Sequence, residues 1–277
     1  MNLKDYKKVL SGEKDMRNAD LEYANLIDAD LSNVDFTGAK LNGVNFREAN
    51  LYKSTFDRAS LRRANLKFAN LTESSLREIN GYAIDFRGAD LTDADFENSI
   101  LKASDFWDAI LVNANFKNCN CENVDFRAAY LTLAVFVDAN LYCSNFENAI
   151  ANKVNFANAK LEYSWLTNTN MNHSNFTDAS LKKAMMRSCY LAGAKITGIQ
   201  LNEAEDLKHV NLTDCLFLEE KTNGDKMTPV LKRRGCIFSE QEAKLLENPM
   251  TLTDLSAELE NLQTAINKIT DKLNLNN

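Results

Sequence analysis

The chain has 277 residues, is 45% hydrophobic and 26% charged, and carries a formal net charge of −7. That composition belongs to a folded chain of one or two domains and excludes a disordered one. No run approaches the ~18 apolar residues that a membrane helix needs, which points away from a membrane partner.

The first stretch, MNLKDYKKVLSGEK, has neither an apolar core segment nor a cleavage site, so it does not read as a conventional signal peptide. Leu3, Tyr6, Val9 and Leu10 stand at helical spacing and Gly12 suits the stop, so residues 1–15 read as an N-terminal capping helix. Met16 then looks like a first, irregular repeat residue.

From Leu21 the chain repeats every five residues. In 34 of 37 consecutive windows up to Leu201 a large apolar residue (position i) is Leu, Phe, Met or Ile, the exceptions being Gly81, Cys121 and Ala151. Position i−2 is small, usually Ala, Ser, Cys, Val or Thr, and i−1 is usually Asp or Asn. On a helix a step of five would scatter the apolar residues around the axis, and on a long strand an odd period would alternate faces. The pattern closes only if the backbone turns a corner every five residues, with i−2 and i inward and i−1 outward, which is the mark of a solenoid. Phe36, Phe56, Phe96, Phe116, Phe136, Phe156 and Phe176 recur at multiples of twenty residues, and Phe46, Phe86, Phe106, Phe126 and Phe146 form a second such column. Together they hold 12 of the 15 phenylalanines, expected as stacked rings on opposite walls. Gly81 at an inward position should thin the core or widen a corner. After Leu201 the phase slips by one residue, and Leu207, Leu212 and Phe217 continue it to a frayed end.

The windows over residues 16–217 resemble the pentapeptide-repeat family, whose motif is commonly written A(D/N)Lxx. The resemblance implies an all-β solenoid: a right-handed quadrilateral β-helix of about nine to ten coils, four pentapeptides to a coil. Residues 218–250 read as a loop and short helices closing the C-terminal end. In 251–277, Leu252, Leu255, Leu259, Leu262, Ile266, Ile269 and Leu273 alternate three- and four-residue spacings, a coiled-coil seam. It serves either self-association, giving a homo-oligomer, or docking of that helix on the rod.

Catalysis finds no footing in the sequence. Nine single glycines build no phosphate loop, and the paired carboxylates come from repetition of i−1. His173 and His209 lack a recognisable nucleophile partner. Cys119, Cys121, Cys189 and Cys215 fall at inward positions and read as small core residues, the C-x-C pair being a weak metal signal. We therefore expect no enzyme activity, cofactor, metal or small-molecule substrate, and free core thiols suit a cytoplasmic location.

Two surface features stand out. Arg47, Lys67, Arg87, Trp107 and Arg127 lie at steps of twenty, a basic column that is either neutralised by Asp85, Asp105 and Asp125 or offered to a partner. Ile110, Tyr130 and Ile150 occupy i−1, where the repeat calls for polar residues, joined by Val112 and Leu133; Val135 and Val137 extend the patch around the corner. A patch of that kind needs covering, by the C-terminal helix or by another protein. The expected function is a non-enzymatic protein-interaction scaffold that presents a rigid rod to a protein partner and self-associates through its C-terminal region. Family membership also implies an alternative, a DNA-mimicking modulator of DNA gyrase or topoisomerase, and TPVLKRRGCIF is similar to the helix-then-strand end of such proteins. Against that alternative, residues 40–87 carry nine bases to five acids, whereas a DNA mimic should be acidic throughout. Direct nucleic-acid binding is not expected either, because this basic band is short and flanked by acidic coils.

Overall fold

A corner every fifth residue must leave no backbone donor unpaired, and one unit shows how this is done. We describe a computed structural model covering residues 1–196, 204–212 and 216–217. In the unit 105–109, Asp105 N–H donates to Ile84 O of the preceding coil at 2.9 Å. Phe106 N–H and Asp108 N–H donate to Asp125 O and Arg127 O of the following coil at 2.7 and 3.0 Å. Ala109 N–H closes the turn on Phe106 O at 3.0 Å, and Trp107 N–H donates to the Asp105 carboxylate at 3.0 Å. All five donors are satisfied, one of them only because i−1 is an Asx residue. The third residue of the turn, Asp108, has φ 57°, and the equivalent corner residue is left-handed along the whole rod.

Parallel bridges join each i−1 residue to the one twenty residues on, from Asp15↔Asp35 to Asn175↔Lys195, so a coil has four sides. The solenoid reading is thus realised. From Ala19 to Ile196 residues i−2 and i are buried, save the half-buried Ala29, and the twelve phenylalanines of the two columns are the largest fully buried side chains. Rings in one column stack at 4.6 Å (Phe86 on Phe106), while the two columns meet edge to face at 5.7 Å (Phe116 to Phe126).

Three corners depart from the rule. At Gly81 the core is not thinned: a Cβ built there would lie 2.5 Å from Ile84 Cδ1, so Ile84, bulkier than the usual i−2 residue, fills the space. The corner is widened instead. Ile84 N–H donates not to Gly81 O but to Ser104 Oγ at 3.1 Å, and that hydroxyl donates on to Gly81 O at 2.9 Å. Ser99 bridges Ile79 and Leu76 in the same way, and Ser174 bridges Val154 and Ala151.

Helix α1 spans Leu3–Leu10, with the Asn2 side chain accepting from Lys4 N–H and Gly12 at φ 84° closing a Schellman pattern through Gly12 N–H to Val9 O and Glu13 N–H to Lys8 O. It lies on the first coil: Asn2 N–H donates to Asp20 O, the Asp5 carboxylate accepts from Asp20 N–H, and Tyr6 Oη donates to Asn25 O. Val9 is buried and Tyr6 packs on the core, but Leu3 and Leu10 are exposed, so only half of the expected apolar face is used. Met16 is not irregular; its ladder and turn bonds, Met16 N–H to Asp35 O and Ala19 N–H to Met16 O, are those of the ordinary unit.

The phase slip is real. Met185 bridges Glu205 at an offset of twenty, whereas Tyr190 bridges Asn211 at twenty-one, with Asp206 at φ 44° between them. Strand β1 (Lys195–Ile196) pairs in parallel with β2 (Leu216–Phe217) in the shifted register. The segments 218–250 and 251–277, with Leu252, Leu255, Leu259, Leu262, Ile266, Ile269 and Leu273, lie outside the described residues, as do Cys215 and Cys236.

Candidate functional site

The i−1 Asx residues hold their units together, so the places where they are missing are informative. Where i−1 is Ser60, Ser75 or Tyr190, the orphaned i+1 donor is taken over by a neighbouring coil: Asn42 accepts from Arg62 N–H, Asp57 from Arg77 N–H and Asn172 from Ala192 N–H. Ile110, Tyr130 and Ile150 have no such substitute, as is also true of Ile100, Val135, Trp165 and Met185 on other faces, but only these three follow one another over three coils of one face. Among the described residues, no side chain accepts from the N–H of Val112, Thr132 or Asn152, and each hydrogen bond so omitted is worth about 0.5–1.5 kcal/mol.

These three residues are bridge partners on successive coils of one face and are 39%, 44% and 39% exposed. Leu133 stands at the adjoining corner, exposed at φ 65°, and Val112 is half-buried. A shallow depression of about 460 Å³ opens at the upstream end of the patch, lined by Phe68, Gly88, Asp108, Ile110, Val112 and Tyr130. Phe68 escaped the sequence reading. It occupies a left-handed corner, 56% exposed, and its ring lies where a Cβ on Gly88 would be 2.6 Å away. The available signal was that Phe68 is the one phenylalanine of the repeat outside the i columns.

The basic column lies on the neighbouring face, separated from the apolar patch by the corner residues Asp108 and Ala128. Its cations are matched. Lys67 Nζ is 3.3 Å from Asp85, Arg87 is 2.7 Å from Asp85 and 3.3 Å from Asp105, and Arg127 is 2.6 Å from Asp125. Arg47 pairs with Glu48. Burial works to raise the Asp85 carboxyl, but hydrogen bonds from Arg87 and Lys67 outweigh it and hold the pKa below the ordinary value. Asp105 moves the other way. Burial raises it, and the charges of Asp125 and Asp85 add to that against the Trp107 N–H and Arg87. Trp107 stands where a cation would serve Asp105. The column is therefore a self-neutralised ladder with one gap, and its exposed pairs contribute little stability individually.

His173 and His209 are exposed corner residues at φ 59° and 60°, and His173 lies against Gly193. Cys119, Cys121 and Cys189 are buried free thiols; Cys119 and Cys189 donate to Phe96 O and Leu166 O. Burial pushes the Cys121 and Cys189 thiols up, so neither is poised as a thiolate. Among the described residues no cluster of three or more His, Cys, Asp or Glu is placed to hold a metal, and no helix is long and apolar enough to cross a membrane.

A family profile described as Pentapeptide repeats matches the chain in eight copies, over residues 15–51, 39–77, 83–118, 119–156 and 155–193. Among solved structures the chain is similar to HetL, a pentapeptide repeat protein involved in heterocyst differentiation regulation from the cyanobacterium Nostoc sp. strain PCC 7120. Identity is 25%, 79% of this chain and 89% of that chain are covered, and the TM-score is 0.46. It is also similar to QnrB1, a plasmid-mediated fluoroquinolone resistance protein, at 16% identity, 76% and 93% coverage and TM-score 0.45. A thylakoid-lumen pentapeptide repeat protein of Arabidopsis thaliana shares 29% identity over 38% of this chain and 69% of its own, at TM-score 0.30. No curated protein matches the chain in sequence.

Proposed function

This chain belongs to the pentapeptide-repeat family, and from that premise we propose that it is a non-enzymatic scaffold whose Ile110–Tyr130–Ile150 face binds a protein. A rod filled with side chains has only its faces and ends to work with. The reading rests on one observation: on three successive coils an apolar side chain replaces the Asx residue that would have capped a turn, with no substitute acceptor. Apolar area is gained at the surface against the interest of the fold, which is what a binding surface requires. The basic column offers less, because its charges already satisfy one another. The same pairing weighs against the DNA-mimicking alternative, since a phosphate-like row needs carboxylates without cations attached.

The remaining organisation carries over as part of this proposal. Helix α1 caps the first coil, 218–250 closes the far end, and the heptad seam of 251–277 joins copies of the chain in the cytoplasm. The test is capture from a cell extract that also contains untagged chain, using tagged bait with the face intact or with Ile110→Asn, Tyr130→Asn and Ile150→Asn together. Restoring amides at i−1 suits the repeat, so the variant should fold. The native face should retain a protein that the triple variant loses; equal capture by both refutes the reading.

A further inference from the structure

Resting on the reading that this face is the interaction surface, we propose that its partner is a second copy of this chain, seated antiparallel about a two-fold axis through Tyr130 and Leu133. A two-fold contact needs a patch complementary to itself, and bridge register makes this face so. Ile110 and Ile150 stand one coil either side of Tyr130. Turning one copy end over end therefore sets Ile110 on the partner's Ile150, while Tyr130 and Leu133 each meet their own counterpart.

Charge selects the antiparallel arrangement. From Asp90 to Ala192, this face and its two corners carry their acids, Asp90, Asp93 and Asp108, on the side before Tyr130. Lys153 and His173 lie on the side after it, and the one acid there, Glu147, stands at the outer edge of its corner beside Arg127. Among the described residues none of the three acids, nor Lys153, takes part in an ion pair, unlike the cations of the neighbouring face. Antiparallel pairing puts Asp93 opposite the partner's His173, Asp90 opposite the partner's Asn170 and Asp108 opposite the partner's Asn148. A parallel two-fold, whose axis runs along the rod, would instead set Asp90 on the partner's Asp90 and leave Asp93 opposite the partner's Gly88 and Lys153 opposite the partner's Asn148. At the corner column, Ala128 stands level with the axis and leaves room for close approach.

From Asp93 to His173 the contact runs four coils, about 19 Å at a strand spacing of ~4.8 Å. A stable interface buries about 800 Å² a side, equivalent to a square roughly 28 Å across. The pairing is therefore weak and concentration-dependent.

Symmetry supplies the test. A disulfide needs Cα atoms within about 7 Å, so only a cysteine on the axis can link to itself, and Leu133→Cys in the full chain should give about tenfold more covalent dimer than the wild type on mild oxidation. Cys143 already occupies the same kind of corner at φ 55°, so the substitution is tolerated, and wild type measures the background from native thiols. Asn113→Cys and Lys153→Cys should each link poorly alone and well when mixed. Adding Ile110→Asn and Ile150→Asn to Leu133→Cys should abolish the link. If Leu133→Cys gives no more dimer than wild type, or Asn113→Cys alone links as well, the self-pairing is overturned. Loss of captured protein in the Ile110, Tyr130 and Ile150 variant would then still assign the face to a foreign partner.

Discussion

Replacing Ser104 by alanine removes one oxygen atom from a buried corner, and the structure says what that atom does. Its hydroxyl accepts from Ile84 N–H at 3.1 Å and donates to Gly81 O at 2.9 Å, in a turn where those two groups do not bond each other. Ser104 is 1% exposed, and Gly81 and Ile84 are buried as well. Without the hydroxyl one donor and one acceptor lose their partner, at about 1–3 kcal/mol each, so the loss is about 2–6 kcal/mol. Ser74 is the matched control: it is buried at the same repeat position, its Oγ has no partner, and its own N–H keeps the ordinary turn bond to Leu71 O. Ser74→Ala should be neutral or stabilising. In urea unfolding followed by circular dichroism, with an m-value of about 3 kcal/mol/M, the Ser104→Ala midpoint should fall by roughly 0.7–2 M. If the two variants unfold at the same urea concentration, the hydroxyl is not what holds the widened corner.

Arg63 sits exposed at a left-handed corner, φ 57°, where a side chain costs about 1–2 kcal/mol and asparagine less. Arg63→Asn should raise the stability by about 0.5–1 kcal/mol, read as a higher thermal midpoint, and a fall would contradict the strain. Asp105 has a folded pKa raised above its unfolded value, so the folded state binds the proton more tightly and this carboxylate lowers stability at neutral pH. Asp105→Asn should therefore stabilise at pH 7, with a gain that fades as the pH falls toward the unfolded value near 3.8; a gain that grows on acidification would reverse the sign. Truncation after Asn248 should lower the mass measured by light scattering at low concentration, and an unchanged mass would remove the heptad seam as the joint.

The period of five and the two phenylalanine columns were legible because burial imposes them on every unit, and one residue type at i suffices to follow the chain. The one-residue slip was legible for the same reason, in the step from Leu201 to Leu207. What could not be read was anything that depends on which side-chain atom meets which backbone atom. The sequence showed Asp and Asn at i−1 without showing that they cap the i+1 donor, and so without showing why Ile110, Tyr130 and Ile150 depart from the fold's own needs. Ser99, Ser104 and Ser174 looked like ordinary small core residues, yet each completes a turn in the coil before it. Phe68 was passed over because an aromatic residue at a left-handed corner carries no periodic signature. On α1, helical spacing did not separate Val9 and Tyr6, which face the coil, from Leu3 and Leu10, which do not.

The fixed offset of twenty between bridge partners has a mechanical corollary. Removing twenty consecutive residues shortens the post by one storey and leaves every downstream side chain pointing the same compass direction. Removing five instead turns everything downstream through a quarter circle, as a ratchet advances one tooth, so that Ile150 would leave the wall it shares with Ile110. Length and bearing are thus separately adjustable in this chain, and the alignment of three apolar residues on one wall survives only edits made in whole storeys.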